Sequence, residues 1–337
     1  MTDQPVRPFA HSADARHLLD ARDPPWRGRV DDMTRMPFTR LLVATAAALG
    51  AALAGPAAVA PAASAAPASA TSAPSIAAAA PWSSVQPLER AHAHNDYEHD
   101  RPLFDALDHG FTSAEADVWL VDGELYIGHD GPDLARTLRG TYLEPLAQRF
   151  RENGGSVHRQ WRDTFRLLVD VKSEGTAAWP VIESQLADYP QLFTAYRQGR
   201  VHERAVTAVI SGNRDLAAMQ AATTRFSFYD GRMGDLGGPL GAELVPLISD
   251  NWTKHFTWLG VGPMPEAERA KLRTIVETAH ARGQEIRFWA TPDATAPNRE
   301  ALWRELVAAD VDVLNTDDLA GLQSFLLAED PEEQAAA

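Results

Sequence analysis

Phe165-Arg-Leu-Leu-Val-Asp-Val-Lys172 is an apolar run too short for a typical helix, and charged residues sit at its end. Such runs suit strands covered on both faces, as in a parallel sheet flanked by helices. Ala205-Val-Thr-Ala-Val-Ile210 repeats the pattern. Working outward, strands are expected at 89–94, 113–120, 165–172, 204–211, 225–229, 243–249, 285–290 and 311–315. Helical stripes lie between them. Over 265–282, Leu272, Ile275, Val276 and Ala279 share one face, with Pro265 at the start and Gly283 as the stop. Over 298–309, Leu302, Trp303, Leu306 and Val307 form another stripe. Unbroken alternation of this kind argues for a single α/β domain. Eight repeats fit a TIM (β/α)8 barrel, whose usual size is ~250 residues. An open doubly wound sheet is disfavoured, because no Gly-x-Gly-x-x-Gly turn follows the first strand.

The 337 residues are 45% apolar and 23% charged, which is globular composition. A net charge of −15 opposes nucleic-acid binding, which needs a basic stripe. The absence of cysteine excludes disulfides, zinc–thiolate sites and cysteine nucleophiles. Of 31 basic residues only Lys172, Lys254 and Lys271 are lysines.

The first 84 residues read as processing and linker. Residues 1–32 are polar and aperiodic, an extension ahead of a start at Met33 or Met36. In 33–65, Arg35 and Arg40 precede an apolar, alanine-rich run over 41–54, with cleavage expected after Ala54 or Ala65. That is a secretory leader; the run is short for a membrane span. Residues 66–84, almost all Ala, Pro and Ser, read as a flexible linker. The barrel is then expected over 85–328, with 329–337 a frayed acidic tail, and the product is secreted or extracytoplasmic, at the cell envelope or beyond it.

A barrel places its chemistry at the C-terminal ends of the strands. Those ends here read His92-Ala-His94-Asn95-Asp96, Glu115-Ala-Asp117, Asp170-Val-Lys172, Ser211-Gly-Asn213, Asp230, Asp250-Asn251, Trp289 and Asn315-Thr-Asp317-Asp318. Strand alternation points Glu115 and Asp117 to one face. Side by side in a barrel mouth, two carboxylates repel unless a proton or cation intervenes. An all-oxygen set, with Asp170 as a third member, suits Mg2+ or Ca2+. An isolated Glu-x-Asp is usually a solvated edge; the neighbouring residues argue otherwise here. His94 and His129 are candidates for proton transfer, since imidazole can give or take a proton at neutral pH. Lys172 shares the face of Asp170 and either pairs with it or neutralises developing charge. Trp252, Phe256 and Trp258 suit an apolar lip for a lipid, although such clusters more often pack a helix on the barrel.

His92-Ala-His-Asn-Asp-Tyr-Glu-His-Asp100, Glu115-Ala-Asp-Val-Trp-Leu120, Leu125-Tyr-Ile-Gly-His-Asp130, Leu168-Val-Asp-Val-Lys172, Arg287-Phe-Trp-Ala-Thr291 and Leu314-Asn-Thr-Asp-Asp318 follow in order. As a set they resemble the glycerophosphodiester phosphodiesterase / phosphatidylinositol phospholipase C-like superfamily, in the branch that includes Altered inheritance of mitochondria protein 6. The resemblance implies a TIM barrel that cleaves phosphodiesters with two histidines and one Mg2+ or Ca2+. By position it makes His94 and His129 the catalytic pair, with His92 the alternative to His94. Glu115, Asp117 and Asp170 become the metal ligands and Lys172 the charge stabiliser. Asn95 stands where the glycerophosphodiesterases carry the arginine of His-Arg-Gly and is expected to contact phosphate or metal; Trp289 is expected to contact substrate. The chain lacks His-Arg-Gly, and only 40 residues separate His129 from Asp170, which leaves no room for the larger glycerophosphodiesterase insertion. The expected substrate is a small-molecule or lipid phosphodiester.

Two rivals remain. A metal-dependent amidohydrolase also opens with His-x-His, and would bind Zn2+ through His92 and His94 with Asp317 and His255 in support. An exported binding module would hold a phosphorylated ligand without turnover.

Overall fold

The computed structural model describes residues 85–336 except 160 and 294. The segments read as extension, leader and linker (1–32, 33–65 and 66–84) lie outside the described residues. Eight parallel strands form the centre: β1 Leu88–Ala93, β2 Phe111–Val121, β3 Phe165–Val171, β4 Val206–Gly212, β5 Ser227–Gly231, β6 Leu247–Asn251, β7 Glu285–Trp289 and β8 Val313–Thr316. Each pairs with the next, and β1 pairs with both β2 and β8, so the sheet closes into a TIM-like barrel. All eight anticipated strands are present. Some start late: β6 begins at Leu247 rather than at 243, because Leu244 and Val245 are buried as loop residues and only mimic a strand.

The sequence did not announce two additions. Glu124–Ile127 folds back antiparallel on the upper half of β2, with Asp133–Thr137 beyond it. Ala195–Arg197, Arg200–His202 and Thr224–Arg225 form a small separate sheet. These strands of two to five residues lack the continuous apolar runs of the barrel strands, alternating instead with half-buried and exposed positions. Among the described residues no helix joins β5 to β6.

The anticipated helices pack as expected. Glu266–His280 buries Leu272, Ile275, Val276 and Ala279, and Ala296–Ala308 buries Leu302, Trp303 and Leu306. Of residues 329–337, expected to fray, the described part is instead held: Pro331–Ala336 is helical and Glu333 is buried. The physical reason is pairing. Glu333 accepts the Glu89 N–H at 2.6 Å, while Arg90 bonds Asp330 at 3.0 Å, Asp310 at 2.9 Å and Glu332 at 2.7 Å.

The main core lies between sheet and helices. A second, small cluster of Leu168, Val209, Leu247 and Val313 comes from four barrel strands. Register places Glu115 opposite Leu168, Asp117 opposite Asp170, and Asp170 opposite Ser211, so the acids share the face of Leu168 and Val209. An apolar layer with carboxylates above it is the frame of the site.

Gly212 ends β4 at φ +64°, and a Cβ there would meet Asp170 Oδ1 at 2.2 Å and Val171 O at 2.4 Å. Gly212→Ala is expected to cost about 1–3 kcal/mol through this strained backbone. A lower urea midpoint with unchanged slope checks it.

Candidate metal centre and active site

Carboxylate oxygens of Glu115, Asp117 and Asp170 all lie within 4.8 Å of one another. Glu115 and Asp117 are buried, and Asp170 is partly so. Two cations divide the charge. Arg287 on β7 donates to Glu115 Oε2 at 2.8 Å and to Asn315 Oδ1. Lys172 Nζ sits 3.0 Å from Asp117 Oδ2 and 3.3 Å from Asp170 Oδ1. Burial alone would raise the Glu115 pKa, but Arg287 and the hydrogen bond from His92 hold it well below the carboxylate range. Burial and the nearby Glu115 push Asp117 up to about 6 in spite of Lys172. Asp170 is raised by the same two causes.

The cluster fits a hard divalent cation. Its donors are all oxygen, and Asp117 Oδ1 is buried with no hydrogen-bond partner among the described residues. The other oxygen, Oδ2, is engaged by Lys172 and by the Tyr97 hydroxyl at 2.8 Å. Bonds on the far side of a ligating carboxylate fix which oxygen faces the ion.

The two histidines of β1 separate cleanly. His92 is fully buried, with Nδ1 at 2.6 Å from Ser113 Oγ and Nε2 at 3.4 Å from Glu115 Oε2. Burial and the neighbouring Arg287 push its pKa down to about 3. It is a neutral support for Glu115, with neither nitrogen free. His94 is near the surface, with Nδ1 at 2.8 Å from Asp317 Oδ1. Burial opposes its charged form, but Asp317 and Glu115 outweigh that and raise its pKa. With Nδ1–H given to Asp317, Nε2 is left for chemistry. The Asn95 amide is committed locally, accepting from Tyr97 at 2.8 Å and donating to Asp317 at 3.3 Å.

His129 is not drawn into this cluster. Its imidazole is 55% exposed and lies 3.0 Å from Asp130 Oδ1. The residue before it is nevertheless pinned beside the centre: the Gly128 N–H bonds Asp117 O at 3.1 Å, and Trp119 Nε1 bonds Gly128 O at 2.8 Å. Trp289 is half-buried at the end of β7, with Lys254 Nζ 5.8 Å from its ring. Trp252, Phe256 and Trp258 are buried and pack rather than form a lip; Trp252 stacks on Phe256 at 4.0 Å. The amidohydrolase arrangement does not form, since both nitrogens of His92 are occupied and Asp317 serves His94.

Sequence reasoning missed four partners. Arg287 and Asn315 gave a signal, being inward positions near strand ends. Asp317, a strand-end acid in the sequence and a metal-ligand candidate only in the amidohydrolase reading, orients His94 instead. Tyr97 follows Asp96, whose buried carboxylate accepts the Leu103 N–H at 2.5 Å and the Tyr142 hydroxyl at 2.9 Å and so ties down the loop after β1. Burial pushes Asp96 up to about 7.

Comparison with known proteins places this geometry in a family context. Residues 82–230 match the model of the AIM6-like phosphodiesterase domain, and 285–320 match that of the glycerophosphoryl diester phosphodiesterase family. Altered inheritance of mitochondria protein 6 homolog from Arthroderma benhamiae is 28% identical over 264 residues, covering 69% of this chain and 82% of that protein. Altered inheritance of mitochondria protein 6 from Eremothecium gossypii is 28% identical over 285 residues, covering 72% and 70%. The Saccharomyces cerevisiae protein of the same name is 25% identical over 281 residues, covering 72% of each. No solved structure matches the chain.

Two expectations follow. The raised Asp117 penalises its carboxylate form in the fold above about pH 6, and that penalty is relieved as pH falls toward 3.8. A cation reverses it by binding the carboxylate form. Mg2+ or Ca2+ should therefore raise Tm more at pH 7 than at pH 5, and Asp117→Asn should abolish most of the shift; thermal melts at both pH values check this. Arg287→Met strands a buried Glu115 and should cost about 3–5 kcal/mol in urea unfolding.

Proposed function

Because the chain belongs, through its AIM6-like phosphodiesterase domain, to the glycerophosphodiesterase and PI-PLC-like superfamily, we propose that it is a metal-dependent phosphoric diester hydrolase. Its substrate is a small-molecule or lipid-derived phosphodiester. The observation that carries this reading is the triad Glu115, Asp117 and Asp170 beside His94, with Asp117 Oδ1 buried and unpartnered.

Glu115, Asp117 and Asp170 would hold one Mg2+ or Ca2+, which supplies Lewis acidity at a nonbridging phosphate oxygen. His94, oriented by Asp317, exchanges a proton through Nε2 with the attacking or leaving oxygen. His129, which follows the Gly128 bonded to Asp117 and is open to water, serves as the second acid–base group. Lys172 keeps a positive charge between Asp117 and Asp170, where charge develops on phosphorus oxygens. Asn95 and Trp289 contact the substrate. The leader read in 33–65 places the enzyme outside the cytoplasm. Among the described residues no helix is long and apolar enough to cross a membrane.

Hydrolysis of a panel of glycerophosphocholine, lysolipids, phosphatidylinositol, cyclic nucleotides and bis-p-nitrophenyl phosphate tests this. EDTA should abolish turnover. His94→Ala and His129→Ala should each lower kcat about 10²–10⁴-fold, the usual contribution of one proton-transfer group. Equal rates for wild type and His94→Ala would refute the assignment.

A further inference from the structure

The loop after β1 runs between the acid cluster and the His94–Asp317 pair, and it is fastened from two sides. The Asp96 carboxylate accepts the Leu103 N–H at 2.5 Å and the Tyr142 hydroxyl at 2.9 Å. Arg136 Nη1 donates to the Tyr97 carbonyl at 2.7 Å. Asn95 holds a left-handed backbone at φ 49°. Tyr97 is buried, and its hydroxyl lies 2.8 Å from Asp117 Oδ2 and 2.8 Å from Asn95 Oδ1. Asn95 Nδ2 in turn lies 3.3 Å from Asp317 Oδ1 and 3.0 Å from His94 Nδ1.

The hydrogens do not suffice for these contacts. A phenol carries one, while an ionised carboxylate and an amide oxygen only accept. Tyr97 therefore meets two acceptors with a single hydrogen, and one of the two contacts sets oxygen against oxygen. Turning the Asn95 amide would let Nδ2 donate to the Tyr97 oxygen, but it would put Oδ1 where Nδ2 now faces the Asp317 carboxylate. Either setting leaves one repulsive contact, so the stronger acceptor decides. With Asp117 bearing its full charge, that acceptor is Oδ2, because a charge-assisted bond is about twice as strong as a neutral one. A cation at the bare Oδ1 would draw off that charge, and Lys172 at 3.0 Å would keep Oδ2 bonded without Tyr97. The hydroxyl hydrogen is then released to Asn95.

We propose that Tyr97 is a positioning residue that couples cation binding at Asp117 to the setting of the Asn95 amide, and through it to His94. In the unloaded protein the hydroxyl serves Asp117 and leaves the Asn95 amide unheld. In the loaded protein it fixes Asn95 Oδ1, which keeps Nδ2 on the Asp317 oxygen that His94 Nδ1 also reaches, at 2.8 Å. One hydroxyl thus brings a filled acid cluster and an oriented imidazole into being together. The inference rests on the phosphodiesterase reading only in taking Mg2+ or Ca2+ as the occupant of the acid cluster, and its test needs no substrate.

Calorimetric titration of the full chain with Mg2+ or Ca2+ alone, at neutral pH, tests it as a double-mutant cycle. Asn95→Gly removes the second acceptor and suits the left-handed backbone. Tyr97→Phe removes the hydroxyl and keeps the ring. Asn95→Gly should weaken cation affinity about threefold to tenfold, the worth of one hydrogen bond. In the Tyr97→Phe background the same substitution should change affinity by less than about twofold. Nuclear magnetic resonance gives a local readout: the cation should shift the Asn95 side-chain amide signals in the wild type, and much less in Tyr97→Phe. Equal effects of Asn95→Gly in both backgrounds overturn the proposal and assign Asn95 to the cation directly; no effect in either overturns it as well. A wild type that binds neither cation sinks the coupling and the metal centre together, whereas additive variants in a protein that does bind sink the coupling alone. A coupled cycle in a protein that hydrolyses no diester upholds the coupling and removes only the enzymatic reading.

Discussion

Three carboxylates crowd within 4.8 Å of one another inside the barrel, and among the described residues Arg287 and Lys172 are the cations paired with them. The compensation is uneven. Arg287 secures Glu115, which stays ionised, while Lys172 is shared between Asp117 and Asp170. Burial then leaves Asp117 with a pKa near 6 and raises that of Asp170. In a low-dielectric interior such a residue of negative charge is costly unless a proton or a metal removes it. Every nearby feature is consistent with that need. His92 is kept neutral, Tyr97 takes Asp117 Oδ2, and Oδ1 is left bare.

The same depth argument explains the different fates of His92 and His94. Strand alternation puts both on the inward face, so the sequence assigns them the same direction and cannot rank them. Their height in the barrel decides. His92 lies level with Ser113 and is sealed. His94, past the end of β1, reaches Asp317 at the rim. Height comes from closing the ring, a long-range property that short windows of sequence do not carry.

Other features divide on similar grounds. The eight strands were legible because parallel strands buried on both faces leave continuous apolar runs, as Phe165–Val171 shows. The acid triad was legible because period-two alternation puts Glu115 and Asp117 on one face and Asp170 stands at the end of the next apolar run. Arg287 as the partner of Glu115 was not, since the two are 172 positions apart. The acidic chain end looked frayed because its charges are visible in sequence and the groups that satisfy them, Arg90 and the Glu89 N–H, are remote. His129 marks the remaining gap. Its place in the order of motifs was clear, yet its side chain follows the hairpin into solvent.

The two ends of the barrel therefore treat charge in opposite ways. At the N-terminal end Arg90 meets Asp310, Asp330 and Glu332 at once, and Arg166 pairs with Glu285. The Arg90 group holds the first strand to the last helices, and the Arg166 pair ties the third strand to the seventh. At the C-terminal end the Asp117 carboxylate keeps one oxygen unspent, although an added basic side chain would have been the simpler route to stability. A barrel that pairs its acids with arginines at one end and leaves a buried carboxylate oxygen bare at the other has separated folding from binding. What the open end lacks is a counter-charge that the chain does not supply and a bound cation would, which is the physical content of reading it as a candidate active site.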